Sequence, residues 1–132
     1  MAKLSLRTLL TALAATAVLG SAPALADDLK LSNKWRVEVS EGAKSDGLIK
    51  FRVTGKEGTP VDVSVAIQKG RGENDVAADI RDAFRAVLDK DAYSAEKDDG
   101  EDVLLKKHKG PDFELQLVES TVKGTRINVE KE

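Results

Sequence analysis

The stretch N74-DVAADIRDAFRAV-L88 decides how the rest of the chain is read, because it breaks the pattern on either side of it. Val76, Ile80, Phe84, Val87 and Leu88 recur at spacings of four, four, three and one, while Asp75, Asp79, Arg81, Asp82 and Arg85 take the opposite side. That spacing predicts one amphipathic helix, with Asn74 as its N-cap and Glu73 and Asp75 at the positive end of its dipole.

Outward from this segment the period changes to two. Before it, Trp35, Val37 and Val39, then Ile49, Phe51 and Val53, then Val61, Val63, Val65 and Ile67 alternate with polar residues. After it come Tyr93 and Ala95, Val103 and Leu105, then Phe113, Leu115 and Leu117, and finally Ile127 and Val129. Alternation of this kind marks strands with one face buried and one in water. Turn residues separate the runs at Ser45-Asp46-Gly47, Glu57-Gly58-Thr59-Pro60, Lys109-Gly110-Pro111-Asp112 and Lys123-Gly124. The fold class expected is α+β, a mainly antiparallel curved sheet in the order β-β-β-α-β-β-β-β with one helix packed on it.

This order carries a geometric problem. A helix of about 15 residues is about 22 Å long and about 10 Å wide. With strands about 4.8 Å apart it roofs three or four of them, not seven. The sheet must therefore curl, split into two layers, or bury its remaining apolar face against a partner.

The first 26 residues read as an export signal. Lys3 and Arg7 precede an apolar stretch from Leu9 to Leu19, and Ala24-Leu25-Ala26 has the small-x-small form read by a signal peptidase. The stretch is too short for a bilayer span of about 20 residues, so cleavage after Ala26 is expected rather than a permanent anchor. No Cys for lipid attachment and no Arg-Arg pair accompanies it. Residues 27–132 then form a single domain: 132 residues less 26 leave 106. Both basic residues of the signal leave with it, so 19 basic side chains face 23 acidic ones, a net charge of −4 against −2 for the whole chain. That balance argues against a general nucleic-acid binder, which needs a basic face. No later stretch is apolar enough to insert in a membrane once the signal is removed.

The absence of cysteine rules out thiol nucleophiles, disulfide exchange, Cys-based zinc sites and c-type haem attachment. Three motifs remain. Asp98-Asp99-Gly100-Glu101-Asp102 gathers four carboxylates around one glycine, but lacks the alternating ligand order of a calcium loop; in Asp89-Lys90-Asp91, Tyr93 breaks that order. Asp-Gly between two strand-like runs is a hairpin signal, so a turn is expected, with weak cation binding as the alternative. Gly70-Arg71-Gly72 precedes the helix where phosphate loops sit, but Asp75 replaces the third glycine of a dinucleotide fingerprint, and a plain connection is expected.

Lys106, Lys107, His108 and Lys109 form a short basic run containing the sole histidine. Lysines at a strand end discourage aggregation; the functional reading is an anion-binding or partner-docking patch. One histidine makes no multi-histidine metal site, and the serines stand in no nucleophile motif. Trp35, one of only five aromatic residues, is expected in the core or at an interface. No cofactor is expected.

The reading that follows is a small exported, non-catalytic binding module of the bacterial cell envelope, periplasmic or secreted, whose partner is another envelope or secreted protein or a second copy of the chain. Two alternatives stand beside it: an inhibitor of a periplasmic or secreted hydrolase that presents the Lys97–Asp102 hairpin, and a weak cation or small-ligand binder.

Overall fold

The structure is a computed structural model that describes residues 29–56 and 58–132. The expected signal peptide and its cleavage point at Ala26 lie outside the described residues. Seven strands and one helix follow the expected order: β1 (Lys34–Ser40), β2 (Gly47–Gly55), β3 (Val61–Ile67), α1 (Glu73–Val87), β4 (Tyr93–Asp98), β5 (Asp102–Lys107), β6 (Phe113–Ser120) and β7 (Arg126–Lys131). The fold is α+β and mostly sheet.

The strands resolve the covering problem by splitting. One antiparallel sheet has the order β4-β5-β1-β7, the other β3-β2-β6. Helix α1 packs on β1, β4 and β5 of the first sheet and on β3 of the second, so it joins the β3 edge of one to the β4 edge of the other. Its buried side chains are Val76, Ala77, Ile80 and Phe84, and the Phe84 ring meets Phe51 of β2 at a centroid distance of 5.2 Å. Val37, Val39, Ile49, Phe51, Val53, Val63, Val65, Ile67, Val103 and Leu105 face the same core and are all essentially inaccessible. The apolar faces of both sheets are therefore largely covered within the chain: of the three solutions expected, the split into two layers is the one adopted, and the covering argument for a partner falls away.

Away from the helix, the segment before β1 also pairs with β6. Ser32, just before β1, exchanges both backbone hydrogen bonds with Phe113 at the start of β6, each 2.9 Å. The Phe113 carbonyl also accepts the Trp35 indole N–H at 2.9 Å. Trp35 is thus the core anchor its alternation implied, with its polar tip satisfied as a buried indole requires.

Two local expectations change. The helix begins at Glu73 with Gly72 as N-cap and no side-chain cap, so Asn74 lies in the first turn. The reason is upstream: Arg71 grips Asp79 through Nε–Oδ2 (3.0 Å) and Nη2–Oδ1 (2.7 Å) and so fixes the entry of the chain, while the Glu73 carboxylate accepts the Glu41 N–H at 2.9 Å. On β6, Phe113 and Leu115 are buried but Leu117 is 37% exposed. The pairing with β2 runs Phe51 to Leu117 and Lys50 to Glu119, so Val118 is an extra residue, a bulge that turns the strand end off the core.

Both sheets depend on few links, which gives a stability prediction. Phe84→Ala should cost about 3–5 kcal/mol, as expected for a large core cavity. Trp35→Phe should cost about 1–2 kcal/mol, chiefly the lost hydrogen bond. Urea unfolding of both variants checks this; a loss from Trp35→Phe as large as that from Phe84→Ala would mean that the indole contributes more than one hydrogen bond.

Candidate functional site

The acidic stretch is a turn. Asp98 pairs with Asp102 across the β4–β5 hairpin, and Asp99 (φ 55°) with Gly100 (φ 80°) supplies the left-handed backbone of the tip. Two of its four carboxylates are engaged by the neighbouring strand: Arg36 Nη1 lies 2.7 Å from Asp102 and 3.1 Å from Asp98, while its Nε donates to Glu132 at 2.6 Å. Glu132 and then Asp102 raise the Arg36 guanidinium pKa further above its ordinary value. The tip is also fastened to the body, since the Glu101 carbonyl accepts the Val39 N–H at 3.2 Å. Among the described residues no cluster of three or more metal-ligating side chains is present.

Gly70-Arg71-Gly72 is a connection into α1 whose arginine is used on Asp79, as described above. Glu73 and Asp75 already place negative charge in the first turn of the helix there.

The basic run is divided by the pleat of β5. Lys106 points to the outer face and pairs with Glu96 at 2.8 Å. Lys107 points inward, its Nζ 4.5 Å above the Tyr93 ring and 3.3 Å from the Pro111 carbonyl. His108 and Lys109 follow the strand and are exposed. The four residues therefore do not form one patch. Two of them, Lys107 and His108, meet other residues at the place where α1 ends.

There the core is left open by two adjoining recesses that share Leu88 and Tyr93. The first, about 300 Å³, lies between α1 and β4 and is lined by Phe84, Leu88, Ala95 and Leu105 with Arg85, Lys90, Tyr93, Ser94 and His108. The second, about 570 Å³, lies under the β2–β3 connection, with Val53, Val61, Val87 and Pro111 among its walls and Lys56, Lys107 and Asp89 at its rim. Val61 and Val87, two of the five large apolar side chains left exposed, both face this second recess.

The electrostatics of this end differ from those of the rest of the surface. Five of the six described arginines, Arg36, Arg52, Arg71, Arg81 and Arg126, lie within 4.0 Å of a carboxylate. Arg85 has none among the described residues. It is held instead by Nε donating to the Ala95 carbonyl at 2.9 Å, which fixes it across the gap between α1 and β4. No carboxylate lines the first recess. In the second, Asp89 is partly engaged, its Oδ1 accepting the Asp91 N–H at 2.9 Å.

Sequence reasoning placed His108 and Lys107 in a candidate patch but missed Arg85, Lys90 and Tyr93. Arg85 reads as an ordinary solvent-facing helix residue; only its position in the last turn, facing an edge strand, distinguishes it. In comparisons with known proteins, no family model matches the chain and no curated protein sequence matches it.

The exposed ion pairs make a pH prediction. Hydrogen bonding to Arg52 lowers the Asp62 pKa, and hydrogen bonding to Lys106 lowers that of Glu96. A carboxylate depressed in the folded state contributes stability that is present above its unfolded pKa, about 4, and lost as pH falls through the folded value. Stability should therefore be flat from neutral pH to about 4 and fall below it. Arg52→Gln and Lys106→Gln should each reduce stability slightly at pH 7 and soften the acid limb, checked by urea midpoints across pH; an unchanged acid limb would remove both pairs from the account.

Proposed function

We propose that the chain is an exported, non-catalytic binding module of the cell envelope, and that its working surface is the cleft at the C-terminal end of α1. The observation that carries this reading is the pair of adjoining apolar recesses that open on the core where α1 ends, bordered by Arg85, Lys90, Lys107 and His108, with Asp89 on the second. Concave, mainly apolar sites with a few converging polar groups are where small ligands and anchoring side chains bind. Export is supported by the leader pattern of residues 1–26 alone.

Other surfaces support binding less well. The outer face of the four-stranded sheet carries Lys34, Arg36, Glu38, Glu96, Asp102, Lys106, Asn128 and Glu130 in cross-strand register, with Leu104 almost the sole apolar side chain and only 8% exposed. A face so charged is well solvated and offers little apolar area to a partner. The free edge of β4 is capped where Arg85 takes the Ala95 carbonyl, which discourages strand addition there. The hairpin tip of the inhibitor reading is short and bound to Arg36 and Val39, so it lacks the protruding loop that entry into an enzyme cleft requires.

Native mass spectrometry of protein purified gently from its own compartment tests the proposal. The expected result is a chain beginning at Asp27 that carries a bound molecule or partner, released when the second recess is filled by Val61→Trp. A chain with Met1 intact removes the export reading. A bare monomer from which in situ crosslinking also recovers nothing removes the binding reading.

A further inference from the structure

We infer that the recess between α1 and β4 takes a small aliphatic carboxylate, its chain against Phe84, Leu88 and Leu105 and its head toward Arg85, Lys90 and His108. This rests on the reading of the cleft as the binding surface and goes further by naming what the cleft binds.

The argument is one of complementarity. The floor is supplied by Phe84, Leu88, Ala95 and Leu105, all largely buried and none with a polar side-chain atom. An occupant that gains from this floor is apolar over most of its length. The ionisable side chains that line the same recess are Arg85, Lys90, Tyr93 and His108, with no carboxylate among them. A neutral hydrocarbon would leave these donors where they are, in water; an anionic head pairs with them at the mouth.

Arg85 makes the choice of a carboxylate specific. Its Nε is occupied by the Ala95 carbonyl at 2.9 Å, which orients the guanidinium and leaves the two terminal nitrogens without a carboxylate among the described residues. A planar guanidinium held in one orientation binds a carboxylate through two parallel hydrogen bonds, with less entropy lost than a free side chain would lose. Two features oppose an anion here: the negative end of the α1 dipole, and Asp89 with Asp91 flanking Lys90. Asp89 lines the second recess and not the first, with one oxygen engaged by the Asp91 N–H at 2.9 Å, and the half-charge at a helix end is smaller than the full charges of Arg85 and Lys90. At about 300 Å³ the recess is at the lower limit of small-molecule sites, which fits a short chain rather than a phospholipid.

The probe is sodium octanoate, titrated into the uniformly ¹⁵N-labelled exported chain and followed by amide shifts, with octan-1-ol and sodium acetate as controls. Octanoate should bind one to one, with shifts confined to Arg85, Tyr93, Ala95, His108 and their neighbours. Acetate and octan-1-ol should each bind at least tenfold more weakly. Arg85→Gln with Lys90→Gln should weaken octanoate at least tenfold, Arg85→Lys should retain part of the affinity, and Arg81→Gln, which removes an equal charge from the same helix, should change nothing. Equal binding of octan-1-ol, shifts elsewhere, or insensitivity to the Arg85 and Lys90 changes would overturn the inference. A neutral molecule or a protein recovered in the cleft by mass spectrometry would also overturn it, while leaving the binding role of the cleft standing.

Discussion

One helix of fifteen residues cannot cover seven strands, and the architecture is the consequence of that limit. The apolar face of α1 is used twice: Val76, Ala77 and Ile80 sit among the strand side chains of the core, and Phe84 reaches Phe51 of the second sheet. Each sheet is the cover of the other wherever the helix does not reach. On the side the helix leaves open, Ser32, Phe113 and the Trp35 indole make three polar links that converge on one residue, Phe113. Hydrophobic area provides most of the stability in such an arrangement, but these directional bonds set how the two sheets are placed against each other.

The same limit creates the cleft. The helix stops at Val87 and the chain turns at Leu88, whose N–H closes on the Phe84 carbonyl. Beyond that point the core is open in two recesses that share Leu88 and Tyr93 in their walls. Val61 and Val87 belong to well-formed elements and are exposed where they line the second recess. An apolar opening at the end of a small core tends to draw in other apolar groups, so basic residues at its rim also keep it from becoming a site of aggregation.

Much of the fold was legible because the signals were local. Alternation placed Val37, Val39, Val63 and Val65 on buried faces, and the change of period at Asn74–Leu88 marked the helix. The Asp99-Gly100 turn was readable from its residue types, since the positive φ it needs is intrinsic to Gly and tolerated by Asp. What escaped depends on pairs distant in sequence. The bulge at Val118 exists only relative to β2, and the shift of the N-cap from Asn74 to Gly72 follows from Arg71 and Asp79 acting together. The site was legible in half-measure. The run Lys106–Lys109 contributes Lys107 and His108 to the proposed cleft, but the pleat sends Lys106 outward to Glu96 and Lys107 inward to Tyr93. No pattern within that run names Arg85, which lies over twenty positions earlier.

Charge distribution gives Arg85 its meaning. With 33% charged residues the surface is dense in both signs, and nearly every guanidinium finds a carboxylate. Arg36 takes three, two of them, Asp98 and Asp102, in the acidic hairpin that looked most like a site. Surface pairs of this kind contribute little to stability individually, so their completeness reflects how readily a mixed surface satisfies itself. In that setting an arginine held by a backbone carbonyl, with its terminal nitrogens unpaired by any described carboxylate and facing an apolar recess, is the exception. Its Ala95 contact accounts for its position, and edge protection of β4 accounts for the contact. Neither requires that Lys90 and His108 border the same recess, nor that its lining hold no acid. The convergence of cations on an apolar floor is what edge protection leaves unexplained and what an anionic occupant explains.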